Sequence, residues 1–300
     1  MSSSESSKTR SLAVAVLIIT TVLWGTTFII TKNVTKEVPI FLYLSLRFLI
    51  ALIGFTPIFF RLKHINKKII WMGAVAGLIY YLAITTQTIG LQTTSAGKTG
   101  FITGLNTVIV PFIVWLGFKK PVGKNVWVAV ILSIIGMGLL LLEGDSGVLI
   151  GDILVLFCAF FCALFIVFND KYVRLVDVYL YTIVQLATIF ILCLMSSLIL
   201  REEYNIIASD ISFWLVMLYM GIGVTTFTFI FQNWGQKHID PSQTAIIFTL
   251  EPVFAVLFAS FLIGDEILSW QAWIGCGLIF IAILIVAIKK KELENLTNIE

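Results

Sequence analysis

Glu251 is the residue of this sequence with the clearest capacity for chemistry, because it is a carboxylate within a long apolar run and is followed at once by Pro252. An ionisable side chain at the centre of a bilayer costs about 2.5–3.5 kcal/mol on insertion scales, so we expect it to face a cavity or a partner. The proline leaves a backbone carbonyl of the preceding turn without its donor. Two interpretations of Glu251 follow. It either binds an ammonium group or a proton, or it is a structural carboxylate that is hydrogen-bonded to a neighbouring helix or to the loosened backbone.

Two basic residues also fall inside apolar runs. Arg47 lies eight residues into the second run and could bind a substrate carboxylate, but an arginine that ties its helix to a neighbour is the simpler interpretation. Lys98 lies a few residues into the fourth run, where its long stem reaches either the surface or a substrate. We group Arg47 with Pro111 and Pro252 as structural residues within the membrane and keep Lys98 as a candidate for the cavity.

Neutral polar residues form a second group of candidates. Thr99, Thr103 and Asn106 recur at i, i+4 and i+7 and therefore share one helix face, which predicts either a cavity wall or hydrogen bonds between helices. The remaining candidates for a cavity lining are aromatic or amide residues, for which packing is the default alternative: Trp24, Tyr81, Phe231, Gln232 and Phe248.

Metal and cofactor sites are not predicted. The four cysteines all lie in apolar runs without a C-x-x-C pair, and the two histidines lie at polar segment ends. The phosphate-binding pattern G-x-x-x-x-G-K-[ST] does not occur. We expect no cofactor and no direct use of ATP.

The composition indicates the environment that these residues occupy. Hydrophobic residues make up 59% of the 300 residues, charged residues only 12%, and the mean hydropathy is +1.02. A soluble fold could not hide so much apolar surface from water, which excludes cytosolic enzymes and secreted modules and predicts an all-α integral membrane protein. The net charge of +3 is too small to indicate a nucleic-acid partner.

Ten apolar runs are long enough to cross a bilayer as helices, and they are continuous instead of alternating as β-strands would be. We number them as spans one to ten: 12–32, 39–60, 69–92, 96–118, 125–142, 151–169, 178–200, 212–235, 241–263 and 270–288.

The loops between the spans are strongly asymmetric in charge. With the N-terminus in the cytoplasm, fifteen Lys and Arg residues fall on the inner side and three on the outer side. Because positive loops stay inside, this distribution predicts that both termini are cytoplasmic, which requires an even number of spans.

An internal repeat is also visible. A shift of 146 residues places Trp127 on Trp273 and Thr103 on Thr249. Each half contains five spans, an odd number, so the second half must enter the membrane in the opposite orientation. The sequence predicts two inverted five-helix units, 12–142 and 151–288, with a shared site near the bilayer centre, an arrangement that favours alternating access.

Together these landmarks resemble the drug/metabolite transporter superfamily, specifically its ten-span EamA members. The resemblance covers nearly the whole chain and rests on the following residues: Trp24-Gly25, Thr26-Thr27-Phe28, Lys32, Arg47-Phe48, Gly90-Leu91, Thr94-Ser95-Ala96, Pro111, Gly136, Gly151-Asp152, Gln185, Glu251-Pro252-Val253 and Gly264-Asp265-Glu266. One departure is Asn169-Asp170-Lys171 at the end of span six.

The resemblance implies a multi-pass permease of the plasma membrane that exports a small metabolite, such as an amino acid or a drug-like compound. It also implies a central cavity formed by spans one, three, four, six, eight and nine. The expected partners are the lipid bilayer, a small-molecule substrate, protons as the coupling ion and a second copy in a homodimer. The alternatives are a membrane-embedded enzyme that modifies lipids, which would need a catalytic cluster at the interface, and a sensor that retains a carrier fold.

Overall fold

The fold was analysed on a computed structural model that describes residues 3–119, 121–141, 149–203, 211–258 and 270–297. Every regular element within these ranges is helical. This is the outcome expected for continuous apolar runs, because a helix satisfies its backbone hydrogen bonds within one segment.

The first half contains seven α-helices, a 3₁₀ segment after α3 and a π-helical turn after α6. Their bounds are α1 Ser3–Gly25, α2 Thr27–Val34, α3 Ile40–Ile53, the 3₁₀ segment Thr56–His64, α4 Lys67–Gly90, α5 Ala96–Gly104, α6 Asn106–Phe112, the π turn Ile113–Gly117 and α7 Lys124–Leu141.

The second half also contains seven α-helices, with a longer π-helical segment between α10 and α11. Their bounds are α8 Ile150–Val173, α9 Val178–Ile199, α10 Ile211–Leu218, the π segment Tyr219–Thr226, α11 Phe227–Gln236, α12 Pro241–Phe248, α13 Leu250–Phe258 and α14 Trp270–Thr297. The end of predicted span nine, beyond residue 258, lies outside the described residues.

By length and composition, seven helical stretches in the described ranges could each cross a membrane. An eighth is α3 with its 3₁₀ extension, although the two parts meet at 78°. Pro57 contributes to this change of direction, since it has no N–H with which to continue the hydrogen bonds of α3 beyond Ile53. Predicted spans five and ten correspond to shorter apolar helices, at Lys124–Leu139 and Trp273–Ile285.

Spans four and nine are both broken near their middle. The break in span four is at Leu105, between α5 and α6, and the break in span nine is at Thr249, between α12 and α13. Pro252 explains the second break, because its ring lacks an N–H and crowds the carbonyl four residues earlier, that of Phe248. Each interruption is a single residue, and the polar side chains of Asn106 and Glu251, which follow one and two residues after it, are buried.

Two apolar cores organise the packing, and each draws helices from both halves of the chain. One core joins α1, α6, α7 and α8 to α12, α13 and α14, with α7 and α14 packed along each other. The other joins α3, α4, α9 and α11, with α4 lying against both α8 and α9. Trp24 packs against both cores, and the cavity described next opens where they meet.

Candidate functional site

A narrow cavity of about 40 Å³ lies where the two cores meet. This is room for a few water molecules, so a larger solute would enter only if the lining helices moved apart. It is lined from α1, α2, α3, α4, α5 and α6 in the first half and from α8, α11, α12 and α13 in the second. The lining residues are Trp24, Thr27, Arg47, Tyr80, Ala83, Ile84, Gln87, Thr103, Asn106, Cys158, Cys162, Phe165, Ile166, Gln232, Phe248 and Glu251.

Glu251 faces this cavity from α13, two residues after the break at Thr249. Its side chain is buried, with 8% of the residue exposed. Within the described residues it takes part in none of the ion pairs, which are Arg61–Asp177, Lys98–Asp152 and Arg174–Asp170. The carboxylate of Glu251 is therefore presented to the cavity without a cationic partner from the described chain.

Arg47 faces the same cavity from α3 and is 4% exposed. Its Nε donates a hydrogen bond of 2.8 Å to Oγ1 of Thr225, and that hydroxyl in turn donates at 2.7 Å to the carbonyl oxygen of Met220. Met220 is five residues before Thr225, so the bond follows the π-helical register of this segment. One of the five guanidinium N–H groups is thus engaged by the protein, and no carboxylate of the described residues lies within ion-pair distance.

Amide side chains add neutral hydrogen-bonding groups to the cavity. Nε2 of Gln87 donates to Oγ1 of Thr103 at 3.2 Å, and Nδ2 of Asn106 donates to the carbonyl oxygen of Thr103 at 2.9 Å. Oδ1 of Asn106 and Oε1 of Gln232 are buried without a hydrogen-bond partner in the described part of the protein. Buried polar atoms are normally paired, so these two oxygens are unusual among the lining residues.

Aromatic rings form the apolar walls. The ring centroids of Trp24 and Phe248 are 4.9 Å apart in an edge-to-face arrangement. Tyr80 makes similar contacts with Phe165 at 4.9 Å and with Phe229 at 4.8 Å. The cavity thus combines rigid apolar surfaces with a small number of polar groups, the usual design of a site for a small molecule.

The structure brings six of the ten candidate cavity residues together in this lining: Trp24, Thr103, Asn106, Gln232, Phe248 and Glu251. Arg47, which the sequence analysis grouped with the structural residues, is also part of the lining. Pro111 and Pro252 are both buried within their helices.

Four candidates lie outside the lining. Nζ of Lys98 contacts Oδ2 of Asp152 at 2.6 Å, and Oγ1 of Thr99 donates to its own helix at the carbonyl oxygen of Ser95. The hydroxyl of Tyr81 lies 2.6 Å from that of Ser196, and Phe231 packs with Phe227 at a centroid distance of 6.0 Å. Lys98 thus serves an ion pair between α5 and α8.

Several lining residues were not singled out by sequence reasoning, above all those of α8. Cys158, Cys162, Phe165 and Ile166 follow the i, i+4, i+7, i+8 pattern of one helix face. This periodicity is present in the sequence, but in a helix that is apolar all round it does not distinguish a cavity from lipid or from packing. Sγ of Cys158 and Sγ of Cys162 lie 3.7 Å apart and provide a thiol marker for the cavity.

Comparison with known proteins settles the family. The model of the EamA-like transporter family matches the chain twice, at residues 11–142 and 149–288. The chain belongs to the EamA-like transporter family. This confirms the resemblance inferred from the sequence and makes the protein a multi-pass membrane transporter.

Related proteins support the same assignment. An uncharacterized transporter of Archaeoglobus fulgidus is 33% identical over 273 residues, which cover 91% of this chain and 85% of that protein. The uncharacterized transporter YetK of Bacillus subtilis is 21% identical, with 94% of this chain and 87% of that protein covered. A crystal structure with 18% identity superposes with a TM-score of 0.76 over 92% of this chain and 98% of that chain, and it shows a shared fold alone.

Proposed function

We propose that this EamA-like transporter is a secondary carrier that moves a small polar metabolite through the central cavity by alternating access. In this proposal ten helices form two inverted five-helix units, 12–142 and 151–288, and both termini lie in the cytoplasm. The observation that carries the proposal is the cavity itself, because it is lined by both units and holds buried polar and charged groups that the described chain does not pair.

The broken helices support a binding site at mid-depth. Spans four and nine, which are related by the repeat, are both interrupted next to cavity residues, at Leu105 and at Thr249. Discontinuous helices of this kind are how many carriers expose backbone and side-chain groups to a solute near the bilayer centre.

Glu251 is the group that we propose couples transport to protons. It shares the cavity with Arg47, Tyr80, Cys158 and Cys162, the other charged or titratable groups of the lining. A carboxylate that faces a cavity without a cationic partner is able to exchange a proton for a cationic group of the solute. If protons enter the cell down their gradient, exchange of this kind would drive export of the solute.

A reconstituted system tests the proposal. Purified protein in liposomes should show saturable uptake and counterflow of at least one member of a panel of amino acids, nucleosides and organic cations, with no requirement for ATP. Absence of saturable transport for the whole panel would contradict the proposed function.

Replacement of Glu251 tests the coupling. Glu251→Gln keeps the shape and removes the titratable group, so we expect reduced or uncoupled transport with normal expression. The matched control is Glu203→Gln, which alters an exposed carboxylate. Full activity of the Glu251→Gln protein with an unchanged pH dependence would contradict the role of Glu251.

A further inference from the structure

A second pocket, which shares no lining residue with the central cavity, lies between two connections of the helices. One wall is the end of the 3₁₀ segment with the start of α4, and the other is the connection from α8 to α9 with the first residues of α9. The volume of this pocket is about 790 Å³, within the range of about 300–1,000 Å³ that is typical of small-molecule sites. The pocket therefore joins one connection from each half of the chain around a space that holds a ligand.

The wall next to α4 carries an excess of positive charge. Residues 61–68 include one arginine and three lysines and no acidic residue. The two arginines of the pocket are each paired with an aspartate, at 3.2 Å and 2.7 Å. Lys63, Lys67 and Lys68 are exposed and take part in none of the ion pairs within the described ranges. The uncompensated charge thus belongs to Lys68, which lines the pocket, and to its two neighbours.

Exposed aromatic side chains flank these lysines along the chain. The 3₁₀ segment meets α3 at 78° and so runs across the direction of that helix instead of continuing it. In this segment Phe60 is 67% exposed, and in the first turns of α4 Trp71 is 69% exposed. Aromatic rings next to lysines are typical of the membrane interface, where the rings lie in the apolar boundary and the ammonium groups reach the headgroups. A ligand that matches both features has an anionic head and apolar chains.

The pocket distinguishes these lysines from other lysines of the loops. Lys119 and Lys124 are also exposed and lie in another connection that the charge distribution assigns to the cytoplasm, but neither lines this pocket. General attraction between a basic loop and an anionic membrane applies to both connections equally. A bound headgroup needs the walls of the pocket as well.

We propose that this pocket binds the phosphate of an anionic phospholipid of the cytoplasmic leaflet, with Lys67 and Lys68 contacting the phosphate and Phe60 and Trp71 lying beside the acyl chains. Lysine is a common partner of phosphate groups, and basic pockets between spans on the cytoplasmic side bind acidic headgroups. The bound lipid bridges a connection of the first half to one of the second half. This site goes beyond the proposed function, because its ligand belongs to the membrane and is not the transported solute.

The test measures lipid binding directly. Protein purified in detergent is titrated with palmitoyl-oleoyl phosphatidylglycerol and, in parallel, with phosphatidylcholine that has the same acyl chains. The two lipids differ only in the headgroup, which has a net negative charge in the first and no net charge in the second. Native mass spectrometry gives the fraction of protein that carries one added lipid. A third titration adds glycerol phosphate, which has the phosphate without acyl chains, to protein already loaded with phosphatidylglycerol.

We expect phosphatidylglycerol to bind about fivefold or more tightly than phosphatidylcholine, and the double variant Lys67→Gln with Lys68→Gln to lower this affinity about fivefold for each lysine removed. The matched control is Lys119→Gln with Lys124→Gln, which removes the same charge from two exposed lysines of the other connection and should leave the affinity unchanged. Since all four lysines are exposed, both double variants should keep the melting temperature of the parent protein in lipid-free detergent.

Three outcomes would overturn the proposal. Equal affinity for the two lipids would exclude recognition of the anionic headgroup, and equal loss of affinity in the two double variants would reduce the effect to general surface charge. Displacement of phosphatidylglycerol by glycerol phosphate at a comparable concentration would mean that the pocket takes a soluble phosphate instead of a lipid. None of these measurements involves transport, so this site and the proposed carrier function can fail independently.

Discussion

Polar residues of the spans differ in how they are satisfied, and this difference separates the site from its surroundings. Many threonines donate their hydroxyl to the carbonyl four residues earlier in the same helix, as Thr20, Thr88 and Thr182 do at 2.7–2.9 Å. Such hydroxyls are hydrogen-bonded within their own helix and are therefore tolerated in an apolar environment. Arg47 bonds to Thr225 and lies over the ring of Phe48, but neither Arg47 nor Glu251 has an oppositely charged partner within the described residues. These two side chains therefore differ from the self-satisfied threonines.

Thr225 is the residue that positions Arg47. Thr225→Val preserves the shape but removes the acceptor of the Nε bond, so the guanidinium would lose its fixed orientation. A hydrogen bond to a charged group contributes about 1.5–3 kcal/mol, and we expect a several-fold lower rate of saturable transport in liposomes.

Thr20→Val is the control for the Thr225 prediction, because its hydroxyl bonds only within its own helix at Val16. The measurement is the rate of saturable uptake into liposomes, with the melting temperature of each variant recorded in parallel. Equal transport by the Thr225→Val and Thr20→Val proteins would contradict the positioning role of Thr225.

At the scale of single residues, the sequence predicted some of the site and left out the rest for a physical reason. Glu251 stands out because a carboxylate in an apolar run is rare whatever its neighbours are. The role of Lys98 depends on Asp152, which is 54 residues away in the chain, and that of Arg47 depends on the absence of a nearby carboxylate. Such relations are properties of the packed helices and cannot be inferred from residue types.

At the scale of helices, hydropathy predicts the ends of most spans closely, because lipid requires a minimum apolar length. For example, the predicted span 178–200 corresponds to α9 at Val178–Ile199, and the predicted span 96–118 corresponds to α5, α6 and the π turn. The interruptions are harder to predict. The π segment Tyr219–Thr226 contains no proline that would mark it in the sequence. In the structure the hydroxyls of Thr225 and Thr226 follow its register and donate to carbonyls five residues earlier.

Close packing of α4 on α9 depends on two glycines. A methyl group at Gly77 would lie 2.8 Å from the carbonyl oxygen of Gln185 and from Cβ of Thr188, and Gly73 is equally close to Val184. Small residues at this spacing allow helix backbones to approach each other in membranes. We expect Gly77→Ala to destabilise the protein by about 1–3 kcal/mol, the usual cost of overpacking.

Gly138→Ala is the matched control for Gly77→Ala, because a methyl group there would meet no atom within 4 Å. Thermal unfolding of both purified variants should show a lower melting temperature for Gly77→Ala and an unchanged or higher one for Gly138→Ala. Equal melting temperatures would show that α4 and α9 can separate without cost.

At the scale of the whole molecule, two polar contacts join helices from the two halves of the chain. Lys98 of α5 and Asp152 of α8 form an ion pair, and Asp152 also accepts from Oγ1 of Thr94 at 2.6 Å. Arg10 of α1 donates to Oε1 of Gln243 of α12 at 3.1 Å. The two contacts involve helices that correspond under the proposed inverted repeat, since spans four and six match spans nine and one.

This correspondence predicts that the two contacts act as opposing latches in alternating access. Each latch is a contact that holds the cavity closed toward one side of the membrane. Lys98→Met removes one latch and leaves Asp152 bonded to Thr94 and to the backbone N–H of Leu149, so α8 keeps its N-terminal cap. We expect the cavity to open more often toward the outside, the face to which we assign Lys98. Gln243→Leu should increase opening toward the cytoplasm.

The measurement is the rate at which a membrane-impermeant thiol reagent labels Cys162 from each side of oriented vesicles, with the other cysteines replaced by alanine. Lys98→Met should raise labelling from outside severalfold, Gln243→Leu should raise labelling from inside, and Arg61→Met should change neither, because its ion pair with Asp177 is exposed. A carrier with two gates must respond in opposite directions to the two latch variants, whereas a channel or a fixed pocket would respond to both in the same way or not at all. Labelling that rises from the same side in both variants would therefore contradict the inverted arrangement of the two units as well as the latches.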